Sequence, residues 1–419
     1  MQCRLCNSSR LFSVLDLGAA PLSEKFLASA ELDLPETTYP LHLRLCEECL
    51  LLQVSALATS AETSGDHAYF SSSSDDRVQR AKTFVDDTAN RVALGTESFV
   101  VEVGSNDGYL LQHVVASGIR CLGVEPSIDV SAAARERGVP TVSAFLDEQL
   151  PRRVRAEHGP ADLVVANNIY GYVPDLLGFT QSLRGLLADE GWLSIEVPHA
   201  LRLISYGQFD SICHEQLQYF TLLSAIRSLA TAALAVVDVE LLPTHGGSLR
   251  IWARPARIAE PPTDRVAEVL RAEVAAGLRR VDGYRQLRPR AEAVRHDILR
   301  FLLQCRADGK RVIGYGAPGR GNTLLNYCGI RSDLIEYTVD RNPDRQGHFT
   351  PGTRIPILDP EVIRQDRPDV VLALPWNLER ELTEQLSYIA DWGGELFFPL
   401  PNLHKASDLD GNGGWTLLS

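Results

Sequence analysis

Short apolar runs recur along the middle of the chain, at Phe99–Val103, Arg120–Glu125, Ala161–Ala166 and Trp192–Val197. Between them lie stretches of helical spacing such as Ser131–Gly138 and Leu176–Leu187. Strands that are apolar on both faces and alternate with helices predict a parallel α/β sheet. Leu234–Leu242 and Ser248–Ala253 then read as two strands joined by the tight loop P-T-H-G-G. From Asp264 to Cys305 the spacing is helical, with a break expected near Pro289. Strands return at Leu334–Val339, Asp369–Leu374 and Glu395–Phe398, after Lys310–Asn322 opens a second, smaller α/β unit. Four parts are expected: 1–65, 66–255, a helical connector 256–305, and 306–419.

In a parallel sheet the ligand sits beyond the carboxyl ends of the strands. Those ends carry Glu102, Glu125, Asn167 with Asn168, and Glu196 with Pro198 and His199. The first strand delivers E-V-G-S-N-D-G, in which Gly104 and Gly108 let backbone N–H groups approach a ligand while Glu102 offers an acceptor. Glu125, about twenty residues on, stands where doubly wound folds grip ribose hydroxyls. This pair of acidic strand tips looks like the S-adenosylmethionine site of class I methyltransferases.

The first 50 residues hold Cys3-x-x-Cys6 and Cys46-x-x-Cys49. Two such pairs supply four thiolates for a tetrahedral, closed zinc site, so a structural metal is expected. Cys121, Cys213, Cys305 and Cys328 are scattered and read as apolar fillers. With 41 Lys+Arg against 54 Asp+Glu the net charge is −13, which argues against a nucleic-acid partner. No apolar run reaches membrane length, and the opening M-Q-C-R-L-C lacks signal-peptide character. A soluble cytoplasmic protein without a membrane partner is expected. The H-A-Y-F-S-S-S-S-D-D stretch reads as a loop, followed by a helix over Arg77–Ala93.

G-Y-G-A-P-G-R-G-N repeats the strand-to-glycine-turn-to-helix theme, and Arg320 and Asn322 beside Gly316 suit a phosphate or nucleotide. Gly314, Gly316 and Gly319 also fit the dinucleotide spacing, which keeps NADPH among the cofactors to be tested. Only Asp340 stands near the place of the usual ribose-binding acid.

The four-cysteine module, E-V-G-S-N-D-G, G-V-E-P-S, F-D-S-I-C-H-E-Q-L-Q-Y-F, H-G-G-S-L-R, G-Y-G-A-P-G-R-G-N and T-P-G-T-R-I-P follow one another in an order that resembles the sugar C-methyltransferases of antibiotic deoxysugar pathways. The resemblance spans essentially the whole sequence. It implies S-adenosylmethionine held by Glu102, Gly104, Asn106 and Asp107, with Glu125, Phe145, Asn167 and Asn168. It implies a TDP-4-keto-deoxyhexose contacted by Ser71, Ser72, Gly316, Arg320, Asn322 and Arg354, and methylation at C3. A base would remove the proton next to the ketone while donors hold the enolate oxygen. Relatives use a Tyr-x-Glu-His cluster there. In this sequence Glu215 is retained, but Cys213 and Gln216 stand in the tyrosine and histidine positions, and Tyr172 replaces another histidine. Glutamine cannot serve as a base, so His214 with Glu215 is the expected acid–base pair, backed by Tyr172, Tyr219, His245 and Tyr69. The altered cluster also keeps a 4-ketoreductase, a bifunctional ketoreductase/methyltransferase, and a non-catalytic nucleotide-sugar-binding partner as alternatives.

Overall fold

The computed structural model describes residues 1–57 and 70–406. Its centre is a seven-stranded sheet in the order Leu234–Leu242, Ser248–Pro255, Leu187–Pro198, Ala161–Asn167, Phe99–Val103, Arg120–Val124, Thr141–Val142. The five strands from Leu187–Pro198 to Thr141–Val142 pair in parallel; in the closing hairpin Ser248–Pro255 runs antiparallel to both its neighbours, so Leu234–Leu242 points the same way as the five. All five residues of Phe99–Val103 are buried, as a strand covered on both faces requires. Helix starts follow capping chemistry: Ser127 and Asp175 accept from the backbone N–H groups of Val130 and Gly178.

The N-terminal sheet pairs Leu11–Ala20 with Tyr39–Cys46, then Leu52–Gln53, then Gln218–Tyr219. Its last strand therefore comes from more than 160 residues further along the sequence, with Leu52 opposite Tyr219 and Gln53 opposite Gln218. The C-terminal sheet runs Ile357–Leu358, Thr338–Val339, Val312–Tyr315, Val370–Ala373, Glu395–Phe398, His404–Lys405, with the last strand antiparallel. One continuous apolar core joins Leu43 and Leu45 of the N-terminal sheet to Ile204 and Phe209, to Ile298 and Leu302 of the connector, and to Val371 and Leu372 of the C-terminal sheet. The outer modules are thus packed on each other as well as on the central sheet.

The connector breaks earlier than its sequence suggests. Helices span Asp264–Ala275, Val281–Tyr284 and Leu287–Ala307. Gly277, in the left-handed region at φ +77°, and Gly283 meet so closely that a Cβ on Gly283 would lie 2.3 Å from the Gly277 carbonyl oxygen. That turn separates the helices. Pro289 instead lies in the first turn of the long helix, where a missing N–H leaves no intrahelical bond unmade. The strand expected over Leu334–Val339 shortens to Thr338–Val339, and the one expected from Trp192 begins at Leu187.

Candidate functional site

A cavity of about 1050 Å³ opens beyond the carboxyl ends of the central strands. Its walls come from all three modules: Ser23 and Glu24 from the first, Gly104, Phe145 and Asn168 from the second, and Gly319, Arg320 and Asn377 from the third. The segment Asp210–Leu217 and the hairpin residue His245 also reach it.

At the sheet end, Gly104 (φ +72°) has no room for a Cβ, which would fall 2.7 Å from Cδ1 of Ile169. The Glu102 side chain is buried behind it, with Oε2 lacking a partner. Burial, then the neighbouring Glu125 and Asp107 carboxylates, push the Glu102 acid well above the usual range. Burial raises Glu125 as well; its oxygens accept from the backbone N–H groups of Asn106 (3.1 Å) and Ser127 (2.9 Å). Buried Oδ1 atoms of Asn167 and Asn168 also lack partners, and Phe145 exposes 66% of its surface on the cavity wall. Unmatched acceptors, an exposed aromatic and a glycine cradle together fit an adenosyl group with a cationic side chain. Glu102, Asn106, Asp107, Glu125 and Asn167 lie behind the residues that face the cavity.

Asp107 differs from expectation. Its Oδ2 accepts from Ser72 Oγ and from the Arg137 guanidinium, each at 2.5 Å, while Ser71 N donates to Asn106 Oδ1 at 2.7 Å. These bonds tie Ser71 and Ser72 to the back of the glycine turn, so the two serines brace the cofactor loop and do not line the cavity. Arg354 likewise turns away, donating to the carbonyls of Leu32 and Leu34. Asn322 donates to the Ser23 carbonyl at 2.7 Å, which docks the N-terminal module on the helix Gly319–Cys328. Of the six residues expected to hold the sugar nucleotide, Arg320 alone faces the cavity among the described residues. Its guanidinium lies 4.9 Å over the Trp376 ring and reaches Ser211 Oγ (3.2 Å) and Asn377 Oδ1 (3.3 Å).

The second glycine turn has its backbone donors occupied. Ala317 N donates to Asp340 Oδ2 at 2.7 Å and Gly319 N to Glu24 Oε1 at 2.8 Å. At Gly316 a Cβ would fall 2.6 Å from Pro375 Cγ. Protein carboxylates sit where a dinucleotide's phosphates would need those donors, so the turn works as a joint between modules and offers no NADPH cradle.

His214, Glu215, Tyr172, Tyr219 and His245 all line the cavity; Tyr69 falls outside the described residues. His214 donates Nε2–H to the Tyr39 carbonyl at 3.0 Å, and burial lowers its pKa. Glu215 accepts from Ser23 Oγ at 3.3 Å. Tyr219 accepts the Cys213 N–H at 3.0 Å, and Gln216 donates to the Gln218 carbonyl at 3.2 Å, which makes this segment a fixed wall. Burial and the Arg320 charge push His245 down to about 4. Sequence reasoning missed Asp210, which is buried on the wall and accepts from Trp376 Nε1 at 2.6 Å, and the partner of His199, which is Glu273 at 2.8 Å. Both pairs join distant stretches of sequence, for which local spacing gives no signal.

Near the N-terminus the two C-x-x-C turns are alike. Asn7 N donates to the Cys3 carbonyl and Leu50 N to the Cys46 carbonyl, each at 2.9 Å, and Asn7 (φ 58°) and Leu50 (φ 60°) both turn left-handed. The four sulfurs lie within 4.8 Å of one another, with Cys3–Cys49 and Cys6–Cys46 at 3.4 Å. A tetrahedral zinc with Zn–S near ~2.3 Å needs sulfurs roughly 3.8 Å apart, so the set fits that metal.

Sheet order, acidic strand tips and cavity together define an S-adenosylmethionine-dependent class I methyltransferase carrying a zinc-binding module. Family models match along the sequence: a zinc binding domain over residues 3–63, a methyltransferase domain over 77–239, and a C-methyltransferase C-terminal domain over 243–401. The chain is 32% identical over 400 residues to C-methyltransferase NovU of Streptomyces niveus, covering 96% of this chain and 95% of that one. It belongs to the S-adenosylmethionine-dependent C-methyltransferase family. Among solved structures, magnesium protoporphyrin IX methyltransferase of Synechocystis with bound S-adenosylmethionine is 15% identical over 45% of this chain and 86% of that one, with a TM-score of 0.33. A Mesorhizobium loti S-adenosylmethionine-dependent methyltransferase is 16% identical over 42% and 99%, with a TM-score of 0.33. Among the described residues no helix is long and apolar enough to cross a membrane.

Replacing the Glu102 carboxyl tests the cost of burying it behind the glycine turn. A carboxyl whose folded pKa is raised contributes fully below its ordinary value near ~4.3 and loses that contribution as pH rises through the raised value. Glu102→Gln should therefore raise the melting temperature of the ligand-free protein by roughly 2–4 °C at pH 7 and leave it unchanged near pH 4. Calorimetric scans across pH read the shift.

Proposed function

We propose that this protein methylates a TDP-linked 4-keto-deoxyhexose on carbon, at C3 next to the ketone, in deoxysugar formation for an antibiotic. The observation that carries this reading is the cavity itself, which runs from the glycine turn at Gly104 and Phe145 to the Arg320 guanidinium of the third module. One end suits an adenosyl sulfonium and the other a nucleotide diphosphate, with the acidic and phenolic groups between them. Membership of a C-methyltransferase family supports carbon as the acceptor.

The chemistry asks three things of the protein. Arg320, backed by Ser211 and Asn377, holds diphosphate oxygens and fixes the sugar's direction. The Tyr172 hydroxyl, on a side chain 44% exposed, donates to the ketone oxygen as it gains enolate charge. Glu215, held by Ser23, accepts from a sugar hydroxyl beside the reacting carbon. When bound, S-adenosylmethionine supplies the methyl group.

Product masses test the reading. The protein is given a TDP-4-keto-dideoxyhexose with S-adenosylmethionine, NADPH, both or neither. A gain of one methylene that requires S-adenosylmethionine alone is the expected result. Uptake of two hydrogens from NADPH would favour reduction, and an unchanged sugar in every arm would favour a binding partner without catalysis.

A further inference from the structure

Three consecutive residues of the segment Asp210–Leu217 accept hydrogen bonds from the third module. Trp376 Nε1–H donates to Asp210 Oδ2 at 2.6 Å, the Arg320 guanidinium to Ser211 Oγ at 3.2 Å, and Thr323 Oγ1 to the Ile212 carbonyl at 3.1 Å. Asp210 is 1% exposed and Trp376 is fully buried, so the first of these bonds is closed off from water. Such a bond is costly to leave half made, because loss of the carboxyl would strand a buried indole N–H. Burial pushes the Asp210 acid up, while the Arg320 charge and then the Trp376 bond pull it back. With so little surface, Asp210 offers a ligand almost nothing to hold. Its effect must pass through a neighbour.

That neighbour is the indole. Pro375, just before it, fills the space beside Gly316 in the second glycine turn, and a Cβ on Gly246 of the central hairpin loop would fall 2.7 Å from Trp376 Cη2. The ring is therefore wedged between two modules, with Asp210 holding its only polar atom. Over the ring, 4.9 Å from its centre, lies the Arg320 guanidinium, within the range of a cation–π contact. An arginine side chain free in solution samples many rotamers, and ordering it on binding costs affinity. A fixed ring beneath it removes much of that cost beforehand.

We propose that Asp210 is a positioning residue: it holds the Trp376 indole as the platform from which Arg320 meets the nucleotide diphosphate. Because Asp210 and Glu215 share one segment, the same bond sets where the diphosphate anchor stands relative to the reacting end of the cavity. The assignment rests on the diphosphate reading of Arg320 given above.

The test titrates TDP alone into the full-length protein by calorimetry, with S-adenosylmethionine titrated in parallel. Asp210→Ala should weaken TDP binding about tenfold and leave S-adenosylmethionine binding within about twofold. Asp210→Asn keeps an oxygen for the indole N–H, so its TDP affinity should stay within about threefold of wild type. In Arg320→Ala protein, adding Asp210→Ala should cost less than about twofold more, since the platform then has nothing to present. The same tenfold loss in both backgrounds would overturn the proposal, as would an Asn variant as weak as the Ala variant. TDP binding that Arg320→Ala leaves unchanged would end the diphosphate reading and the proposal together. A loss in Arg320→Ala with none in Asp210→Ala would overturn the proposal alone. Should Asp210→Ala fail to fold, Trp376→Phe keeps a ring and drops the N–H, and should show the same loss, again absent beside Arg320→Ala. Wild-type TDP affinity in Trp376→Phe would rule the platform out.

Discussion

Cys46→Ser is expected to take the protein from about one bound zinc to almost none and to lower methyl transfer at least ~100-fold, while S-adenosylmethionine still binds within about threefold of wild type. The reason lies in the sheet that the cysteines stabilise. Cys46 ends the strand Tyr39–Cys46, which pairs with Leu52–Gln53, and that strand pairs with Gln218–Tyr219. Tyr219 in turn accepts the Cys213 N–H through its hydroxyl, fixing the segment that carries His214 and Glu215. A four-thiolate zinc contributes on the order of 10 kcal/mol in small modules of this kind, far more than a short sheet supplies by itself. Loss of the metal therefore loosens a wall of the sugar site. The glycine turn at Gly104 belongs to another sheet, and although Cys46 and Cys49 share an apolar core with Val101 and Val103 just before it, cofactor binding should fall much less than turnover does. Elemental analysis, turnover and a calorimetric titration on one preparation would separate the two ends of the cavity. Full turnover in a zinc-free sample would contradict this coupling.

Arg320→Ala should raise the KM for the nucleotide sugar about 30- to 100-fold with kcat changed less than threefold, and Arg320→Lys should recover part of the loss. Hydrogen bonds to a charged partner contribute about 1.5–3 kcal/mol, which is roughly 10- to 150-fold in binding. A diphosphate far from the reacting carbon is bound equally in ground and transition states, so its loss should appear in KM. Lysine keeps the charge but lacks the planar fork and the stacking on Trp376, hence partial recovery. Steady-state kinetics with varied sugar nucleotide decide the matter. A fall confined to kcat would move Arg320 from anchoring to chemistry.

Much of the architecture was legible because the central strands are short, apolar and separated by amphipathic helices. Phe99–Val103, Leu234–Leu242 and Glu395–Phe398 have the bounds their apolar runs suggest. The strand ending at Pro198 begins earlier than its apolar run, because Ala188, Asp189 and Glu190 belong to it without looking like a buried strand. Both cysteine turns were equally plain, since metal-ligand spacing is local. What residue order hides is pairing between modules. Nothing near Gln218–Tyr219 signals that these two residues complete a sheet begun at Leu11, and nothing near His199 points to Glu273. Ser71, Ser72 and Arg354 misled for the same reason: polar residues in loops suit ligands and module contacts alike, and here their partners are Asn106, Asp107 and two backbone carbonyls. Gly316 and Asn322 lie in a motif whose spacing is right for a nucleotide but whose donors are already engaged.

Cutting the polypeptide after residue 57 would not release an independent methyltransferase. The pair Gln218–Tyr219 would lose its neighbour and present bare N–H and C=O groups to solvent, an invitation to intermolecular pairing. The two fragments should therefore need to be produced together, and either expressed alone should aggregate.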